Sequence, residues 1–527
     1  MSRWLLLMPL ALSAAMCAKK PAASPTAAPP KPNRTFTLVV TSSVLGNLEP
    51  CGCSRDQRGG IAHAAAAIDA IRKEGQPVIV VDGGDRFFPS AKTPADPLAA
   101  GAEDLQARAM VQATRAMRYV ALVLGARDAA HPSFFAGPKL PLLVGEDAMR
   151  QRIPHAAVWI VRRIGSGPKS PKLGLLPLGA GANAPELLAT RARQMREAGA
   201  TVIAAFVDRT FEDAKRLLPA AKAAGVSFVF ATRSDDPETG HSAALTGTAP
   251  ALFAVAPRGQ EILRLDVSPG GPQGALFVEV AGAGERTQTL EVLKQRIALL
   301  RSELQGASPT DPLTKLKTDK LLALEGRRAR LAASPPPPLP VNENAYAYSF
   351  VAMTPTLPKS PAVQAVIDQF HRDAAAASLA YLRAHPRPCP RARPGEATYV
   401  GAGRCASCHP AAFSVWKKTA HARAYQALVE RGRQFDVACI GCHVVGYEKP
   451  GGACSIAEVK GRENVQCESC HGPGSLHAKT GDPKLIATRV SEATCRACHD
   501  PVNSPHFNFH TYLPQILGPG HGQPGRR

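Results

Sequence analysis

Four copies of the pattern Cys-x-x-Cys-His lie between residues 405 and 499, and they constrain this chain more than any other feature. Two thiols three positions apart on one helical turn can bond the two vinyl groups of a single haem, and the adjacent histidine then reaches the iron. A zinc knuckle or a redox Cys-x-x-Cys does not require a histidine after every second cysteine. The pattern therefore predicts four covalently bound haem c groups.

Each motif supplies two cysteines for attachment and one proximal iron ligand. The predicted haem-binding residues are Cys405, Cys408, His409, Cys439, Cys442, His443, Cys467, Cys470, His471, Cys495, Cys498 and His499. No methionine follows Met353, so a His/Met haem is excluded here and each second ligand is a histidine or is absent. The histidines outside the motifs in this region are His421, His477, His506, His510 and His521.

Several segments around the motifs match one known family. They are Tyr399-Val400-Gly401, Trp416 and His421, the run from Cys442 to Tyr447, and the run from Val465 to His477. Over residues 397 to 521 the chain resembles the tetrahaem cytochrome c family typified by the electron acceptor of hydroxylamine oxidoreductase. The resemblance implies a mostly helical domain in which closely stacked haems pass single electrons. It also implies that His421, His477 and His521 are distal ligands, and that the haem on His443 is five-coordinate.

The N-terminus has the features of an export signal. Arg3 is followed by an apolar run from Trp4 to Leu12 and by small residues before Cys17. Cleavage before Cys17 would leave that thiol for lipidation, whereas cleavage after Ala15 would give a plain secreted protein. Lipidation of Cys17 leaves an even four cysteines outside the haem motifs, which favours the lipoprotein. Residues 1–17 are thus a predicted signal peptide and 18–34 a flexible linker, and we expect a periplasmic or cell-envelope protein tethered to the membrane surface.

Residues 35–282 alternate short β-branched runs with Ala-rich helical stretches, which predicts an α/β domain. Residues 285–332 follow as a helical hairpin, because Leu290, Leu293, Ile297, Leu300 and Leu304 recur at spacings of three and four. A seam this short favours packing on a neighbour, with a dimerising coiled coil as the alternative. A Pro-rich linker and connecting helix over 333–396 lead to the haem domain, 397–527.

The front domain resembles the metallophosphatase fold of periplasmic UDP-sugar hydrolases and 5′-nucleotidases. The resemblance rests on the runs Thr41 to Cys53, Val81 to Asp85 and Leu124 to Asp128. Its order and spacing fit the family, but the ligands differ. The family's Asp-x-His is Ser43-Val44-Leu45 here, and its Gly-Asn-His-Glu is Gly125-Ala126-Arg127-Asp128.

The family's later histidine positions are also altered in this chain. They fall in Phe206-Val207-Asp208-Arg209 and in Ala231-Thr232-Arg233-Ser234. Only Asp85 remains as a plausible ligand, and a two-metal phosphoesterase needs several carboxylate, Asn and His ligands. We therefore expect a non-catalytic phosphatase-like sandwich. Cys51 and Cys53 are interpreted as a reducible disulfide, a soft-metal site or an inert exported disulfide.

The overall prediction is a multidomain, exported electron-transfer protein whose front domain serves docking or binding. Two alternatives are a haem redox enzyme acting on a small nitrogen or sulfur species at an open iron, and a metal-dependent 5′-nucleotidase-like hydrolase. Redox proteins and the membrane surface are the expected partners. The net charge of +21 is spread along the chain and aromatic residues make up only 5%, which argues against a nucleic-acid groove.

Overall fold

The computed structural model describes residues 36–521 apart from several short segments. Those segments are 52–56, 168–169, 235–239, 248–249, 273, 281–282, 305–311, 334–338, 341, 387, 501–502 and 505–506. The predicted signal peptide with Cys17, the linker 18–34, Cys53, the proline run beginning at Ser334 and His506 lie outside the described residues, as does the side chain of Cys51.

The front domain contains two β-sheets. The strands are β1 Phe36–Thr41, β2 Pro50–Cys51, β3 Arg58–Gly59, β4 Val78–Asp82, β5 Ala121–Leu124, β6 Leu142–Val144, β7 Ile160–Arg163, β8 Lys172–Leu178, β9 Val202–Val207, β10 Phe228–Ala231, β11 Ala243–Leu245, β12 Ala251–Ala254, β13 Glu261–Pro269, β14 Val278–Glu279 and β15 Asn344–Ala352. The first sheet has the order β14-β15-β13-β1-β4-β5-β6, and the second has the order β11-β12-β10-β9-β8-β7.

The helices of the front half alternate with these strands along the chain or follow them. They are α1 Ile61–Arg72, α2 Pro97–Met117, α3 Ala126–Ala129, α4 Pro132–Phe135, α5 Asp147–Arg152, α6 Ala184–Glu197, α7 Phe211–Lys215, α8 Leu218–Ala223, α9 Ala283–Leu304, α10 Pro312–Ala333 and α11 Pro361–Ala384. The long α2 begins where the sequence favours it, because Asp96 caps the N–H of Leu98 and Pro97 occupies the first helical position.

The apolar residues form a layered core. One cluster fills the space between the two sheets and includes Phe36, Phe206, Phe228 and Phe253. A second cluster joins the first sheet to α1, α2 and α11, and a third joins the second sheet to α6 and α8. Parallel strands such as β4 are apolar on both faces because both faces are covered. The predicted α/β sandwich is confirmed.

The predicted helical hairpin is formed by α9 and α10, which contact each other. Leu293, Ile297 and Leu300 of α9 are buried, and α9 also contacts β15. Leu299 and Leu316 remain exposed. The buried part of the leucine seam therefore packs within this chain, as the sequence analysis expected.

The strand β15 was not predicted. It lies within the segment described from sequence as a Pro-rich linker and connecting helix, yet it pairs antiparallel with β13 along nine residues and returns the chain to the first sheet. Its sequence, Asn-Ala-Tyr-Ala-Tyr-Ser-Phe-Val-Ala, carries aromatic and β-branched residues that favour strands. The proline-rich sequence that precedes this strand is typical of a linker, so the strand was not recognised.

The C-terminal domain is built from short helices and loops. The helices are α12 Ala402–Ala406, α13 Pro410–Lys417, α14 Ala424–Val429, α15 Val437–His443, α16 Cys467–His471, α17 Ser475–Thr480, α18 Glu492–Arg496 and α19 Phe509–Tyr512, with 3-10 turns at His421–Arg423, Pro483–Leu485 and Leu513–Gln515. This mostly helical domain after an α/β sandwich and a hairpin confirms the predicted multidomain fold.

The two domains contact each other near α15. Leu98 of α2 belongs to a buried cluster with Leu428, Ile440 and Val444. Beside it, Glu49 Oε2 lies 2.9 Å from His371 Nε2 on α11. No described helix combines the length with the apolar composition that a transmembrane helix needs.

Candidate functional site

Each Cys-x-x-Cys-His motif forms one helical turn. In the first motif the N–H of His409 donates to the carbonyl of Cys405 at 2.9 Å, and in the fourth the N–H of His499 donates to the carbonyl of Cys495 at 2.8 Å. The second motif lies within α15, which is capped by the side chain of Asp436. This turn places both cysteines and the following histidine along one side of the backbone, as haem attachment requires.

Two pairs of histidine rings face each other at similar distances. The ring centres of His409 and His477 are 6.1 Å apart with an interplanar angle of 23°, and those of His421 and His499 are 6.2 Å apart at 44°. An imidazole nitrogen lies about 2 Å from a metal ion that it binds, so two rings on opposite sides of one ion have centres about 6 Å apart. The separations therefore fit an iron between each pair.

His521, the third distal ligand that the resemblance implies, lies near His471. Burial lowers the pKa of His521, and the charge of the nearby His471 lowers it further. The Nδ1 atom of His521 is buried and has no hydrogen-bond partner among the described residues. A buried imidazole nitrogen without a partner is costly in an apo protein and is explained when that nitrogen faces a metal ion.

His443 differs from the other three motif histidines. Its Nδ1 faces the carbonyl of Ala424, but within the described part of the chain no histidine ring contacts it from the opposite side. His506, one of the two other histidines of this region without an assigned role, lies outside the described residues. His510 contacts Phe509 and is exposed.

Hydrogen bonds orient several of these imidazoles. His471 Nδ1 lies 2.6 Å from the carbonyl of Ala487, His477 Nδ1 lies 2.9 Å from the carbonyl of Asp482, and His499 Nδ1 lies 3.1 Å from Ser504 Oγ. A nitrogen facing a carbonyl must carry the proton, which leaves Nε2 with its lone pair free for a metal ion. The neutral imidazoles that ligation needs are also favoured by burial, which lowers the pKa of His421, His443 and His499. This donor set fits haem iron.

The motifs also associate in pairs that the sequence did not indicate. The thiol of Cys467 raises the pKa of the Cys405 thiol, so the first and third motifs lie close together. The thiol of Cys498 raises the pKa of the Cys442 thiol in the same way, so the second and fourth motifs are also neighbours. The four sites are therefore arranged as two neighbouring pairs.

The cysteines outside the motifs are partly accounted for. Cys389 and Cys454 form a disulfide with a Cα–Cα distance of 4.9 Å, which connects the segment before the haem domain to the loop after α15. Sequence reasoning grouped these two with Cys51 and Cys53 but did not assign the pairing. All eight motif cysteines are free of disulfides, as haem attachment requires.

In the front domain the side chain of Arg127 lies against Asp85, the candidate metal ligand. Asp85 lies on a turn with φ 52°, and its Oδ2 accepts from Arg127 Nη1 at 2.9 Å while its Oδ1 accepts from the N–H of Arg127 at 2.8 Å. The two side chains are 4% and 25% exposed. Burial raises the pKa of Asp85, the charge of Arg127 opposes that shift, and Asp208 adds to it. Asp85 is thus paired with a cation that belongs to the protein.

The polar side chains near Asp85 also have hydrogen-bond or ion-pair partners within the protein. Asp208 pairs with Arg233 at 3.1 Å, and Ser43 Oγ donates to the carbonyl of Thr232 at 2.8 Å. Asp128 is fully buried and accepts backbone N–H groups from residues 86, 87 and 88. Within the described residues, the one cluster of three candidate metal-ligand side chains consists of the two disulfide cysteines and Glu458. Among the described residues, the turn that bears Asp85 therefore contains no cluster of three candidate metal ligands.

The haem domain and the front domain match different groups of known proteins. Residues 404–472 match the family model described as cytochrome c554 and c-prime. Cytochrome c-554 of Nitrosomonas europaea is 36% identical over 137 residues, which cover 20% of this chain and 58% of that protein. The chain therefore spans less than two thirds of this relative. The predicted resemblance to the tetrahaem cytochrome family is confirmed for this segment.

Comparison with solved structures finds phosphoesterases that are similar to this chain at low sequence identity. The 5′-nucleotidase precursor from Thermus thermophilus has a TM-score of 0.41 at 14% identity, with 65% of this chain and 59% of that chain covered. The calcineurin-like phosphoesterase YfkN from Bacillus subtilis has a TM-score of 0.39 at 12% identity, with 66% and 98% covered. These are the proteins that the predicted metallophosphatase-like sandwich resembles.

Proposed function

We propose that this protein is an exported tetrahaem c-type cytochrome that transfers electrons. The proposal rests on two pairs of histidine rings, His409 with His477 and His421 with His499. The ring centres of each pair are separated by a distance that suits two axial ligands of one iron. Bis-histidine irons have no free coordination position and favour electron transfer over substrate chemistry. The absence of methionine from this region supports low reduction potentials, since thioether ligation raises them.

The proposal is tested first by counting haems in the matured protein. A pyridine haemochrome assay should return four haems per chain, and all eight motif cysteines should resist alkylation without prior reduction. Electron paramagnetic resonance of the ferric protein should show three low-spin haems. Fewer than four covalent haems in fully matured protein would contradict the proposal.

A second candidate function is supported by the surroundings of His443. If its haem is five-coordinate, a small nitrogen or sulfur species could bind the open iron and be oxidised or reduced there. A high-spin ferric signal for one haem, abolished by cyanide, is the expected result. A spectrum with four low-spin haems would eliminate this alternative and would assign a ligand role to His506 or His510.

For the front domain we propose docking or binding without hydrolysis. The Asp85–Arg127 and Asp208–Arg233 pairs support this role, because a metal ion would have to displace two arginines to reach the carboxylates. The full-length protein should release no phosphate from 5′-nucleotides in the presence of manganese, zinc or calcium. Metal-dependent release that Asp85→Ala abolishes would establish the nucleotidase alternative instead.

The proposed location is the periplasm or cell envelope, with redox proteins as partners and a lipid on Cys17 as the membrane tether. A single acyl anchor holds a protein at the membrane surface without embedding it. Fractionation should find the protein with membranes, and Cys17→Ser should release it in soluble form. An equal membrane fraction for the variant and the parent would contradict lipidation.

A further inference from the structure

Glu468 is an unusual residue of the third haem motif. It lies between the two attachment cysteines in α16, and only 1% of its surface is exposed. A buried carboxylate is costly unless it is hydrogen-bonded or paired with a cation. Every hydrogen bond that the described residues give Glu468 comes from a backbone N–H group, so the carboxylate acts purely as an acceptor there.

These N–H groups belong to two segments on either side of one haem position. Val400 and Gly401 donate to Glu468 at 2.9 and 2.7 Å, and they immediately precede α12, which carries Cys405. Gly474 donates to Glu468 at 2.8 Å and is the N-terminal cap residue of α17, which carries His477. One carboxylate of the third motif therefore holds both the proximal and the distal segments of the haem on His409.

Neighbouring contacts reinforce the same junction. Gln466 Oε1 accepts from the N–H of Ala402 at 2.6 Å, and the N–H of Thr398 donates to Ser475 Oγ at 2.8 Å. The segments before α12, α16 and α17 are thus joined through groups buried near the first and third haem positions.

We propose that Glu468 is a positioning residue for the haem on His409 and that its fixed negative charge keeps the potential of that haem low. Hydrogen bonds to both axial segments set the separation of His409 and His477. A negative charge in a poorly solvated site stabilises ferric over ferrous iron, because the ferric centre carries one more positive charge. The inference rests on the proposed tetrahaem function.

The test uses the full-length holoprotein with Glu468→Gln and Glu468→Asp, and haem content, low-spin signals and reduction potentials are measured for each. Glu468→Gln removes the charge and should shift the ferric-to-ferrous ratio of the haem on His409 at least tenfold, which is about 59 mV for one electron. Glu468→Asp keeps the charge but is shorter, so it should weaken the His477 ligation and give a high-spin signal. Glu492→Gln, an exposed carboxylate near the fourth motif, is the matched control.

The possible outcomes separate the two proposals. Loss of haem at the His409 site alone, with the other three filled, supports the positioning role. Four haems with potentials and spin states equal to those of the Glu492→Gln control would overturn the role of Glu468 while leaving the tetrahaem function intact. Loss of all haems in both Glu468→Gln and Glu468→Asp would indicate that Glu468 has a general folding role, and this result would also overturn the proposed positioning role. Fewer than four haems in the parent protein would count against the proposed function itself.

Discussion

The front domain and the haem domain differ in how their candidate ligand side chains are partnered. In the front domain, the Asp85 carboxylate forms an ion pair with Arg127, and Asp208 forms an ion pair with Arg233. In the haem domain, His409 and His477 face each other with 6.1 Å between ring centres, a separation that suits an ion between them. The fold of each domain therefore does not by itself determine its chemistry, which depends on how the polar side chains are paired.

The comparison gives a practical criterion for a site of uncertain activity. The turn that bears Asp85 has a strained backbone, with φ 52°, but this strain alone does not show that the turn binds a ligand. What decides the chemistry is whether the polar atoms already have protein partners. By this criterion Asp85 and Asp208 already have protein cations as partners, whereas the facing histidines of the haem domain are placed to bind an ion.

The strongest test of the contrast is removal of a distal histidine. His421→Ala and His477→Ala should each convert one of the four haems from low spin to high spin, since each removes one half of a facing pair. The change is measured by electron paramagnetic resonance and by the visible spectrum of the ferric protein. His510→Ala, at an exposed position, is the control and should leave all spin states unchanged. The ligand assignment fails if His510→Ala has the larger effect.

The second test breaks another ion pair of the front domain, the fully buried pair of Arg86 with Asp82. Arg86 is 1% exposed and donates to Asp82 at 3.1 Å, to Tyr119 Oη at 3.0 Å and to Thr114 Oγ1 at 2.7 Å. Arg86→Met leaves the buried Asp82 without its cation and should lower the free energy of unfolding of this domain by about 3–5 kcal/mol. Urea unfolding followed by the fluorescence of Trp159 is the measurement.

Arg108→Met is the matched control, because Arg108 pairs with Asp104 on the surface and both are largely exposed. Its expected effect is under about 1 kcal/mol. Equal effects of the two substitutions would show that the buried network around Arg86 is not what holds the domain together.

Sequence reasoning was most successful where the spacing of residues has a covalent or periodic cause. The four motifs, the alternation of strands and helices over residues 35–282 and the leucine hairpin were all predicted, since each depends on local chemistry or on regular burial. It also selected His421 and His477 through the family resemblance. The sequence could not say which iron each would serve, because His421 meets His499 across 78 residues of chain.

The other features that were missed depend on long-range contacts. The Cys389–Cys454 disulfide, the return of β15 to the first sheet and the pairing of Asp85 with Arg127 each join distant segments. Arg127 was identified as a departure from the family ligand pattern, but only the geometry makes it the partner of Asp85. A signal for Glu468 was present in the run from Val465 to His477, although its backbone partners could not be deduced.

A third test concerns the covalent link at the start of the haem domain. The disulfide closes a loop with a sequence separation of 65, so its removal should increase the entropy of the unfolded chain. Cys389→Ser with Cys454→Ser should destabilise the haem domain by about 2–4 kcal/mol. Chemical denaturation followed by haem absorbance is the measurement, and the haem count is the control for maturation. An unchanged midpoint at four haems per chain would contradict a stabilising role.

The smallest expected effect concerns the contact between the two domains. Glu49 Oε2 lies 2.9 Å from His371 Nε2 and 4.0 Å from Arg433 Nη1, and Arg433 also pairs with Asp436 at the start of α15. Burial alone would raise the pKa of Glu49, but the hydrogen bond with His371 and the charges of His371 and Arg433 outweigh it, so the pKa of Glu49 is lowered.

A carboxylate whose pKa is lower in the folded state stabilises that state above its unfolded pKa of about 4.3, and the contribution is lost as the pH falls through the folded value. Glu49→Gln should therefore cost about 1 kcal/mol at pH 7, and the difference from the parent should shrink below about pH 4.3. Unfolding midpoints measured from about pH 7 down to about pH 3 provide the test, with the exposed Glu212→Gln as the control. A difference that stays constant over this range would mean that Glu49 acts through packing, and that the domains associate through the apolar cluster around Leu98 alone.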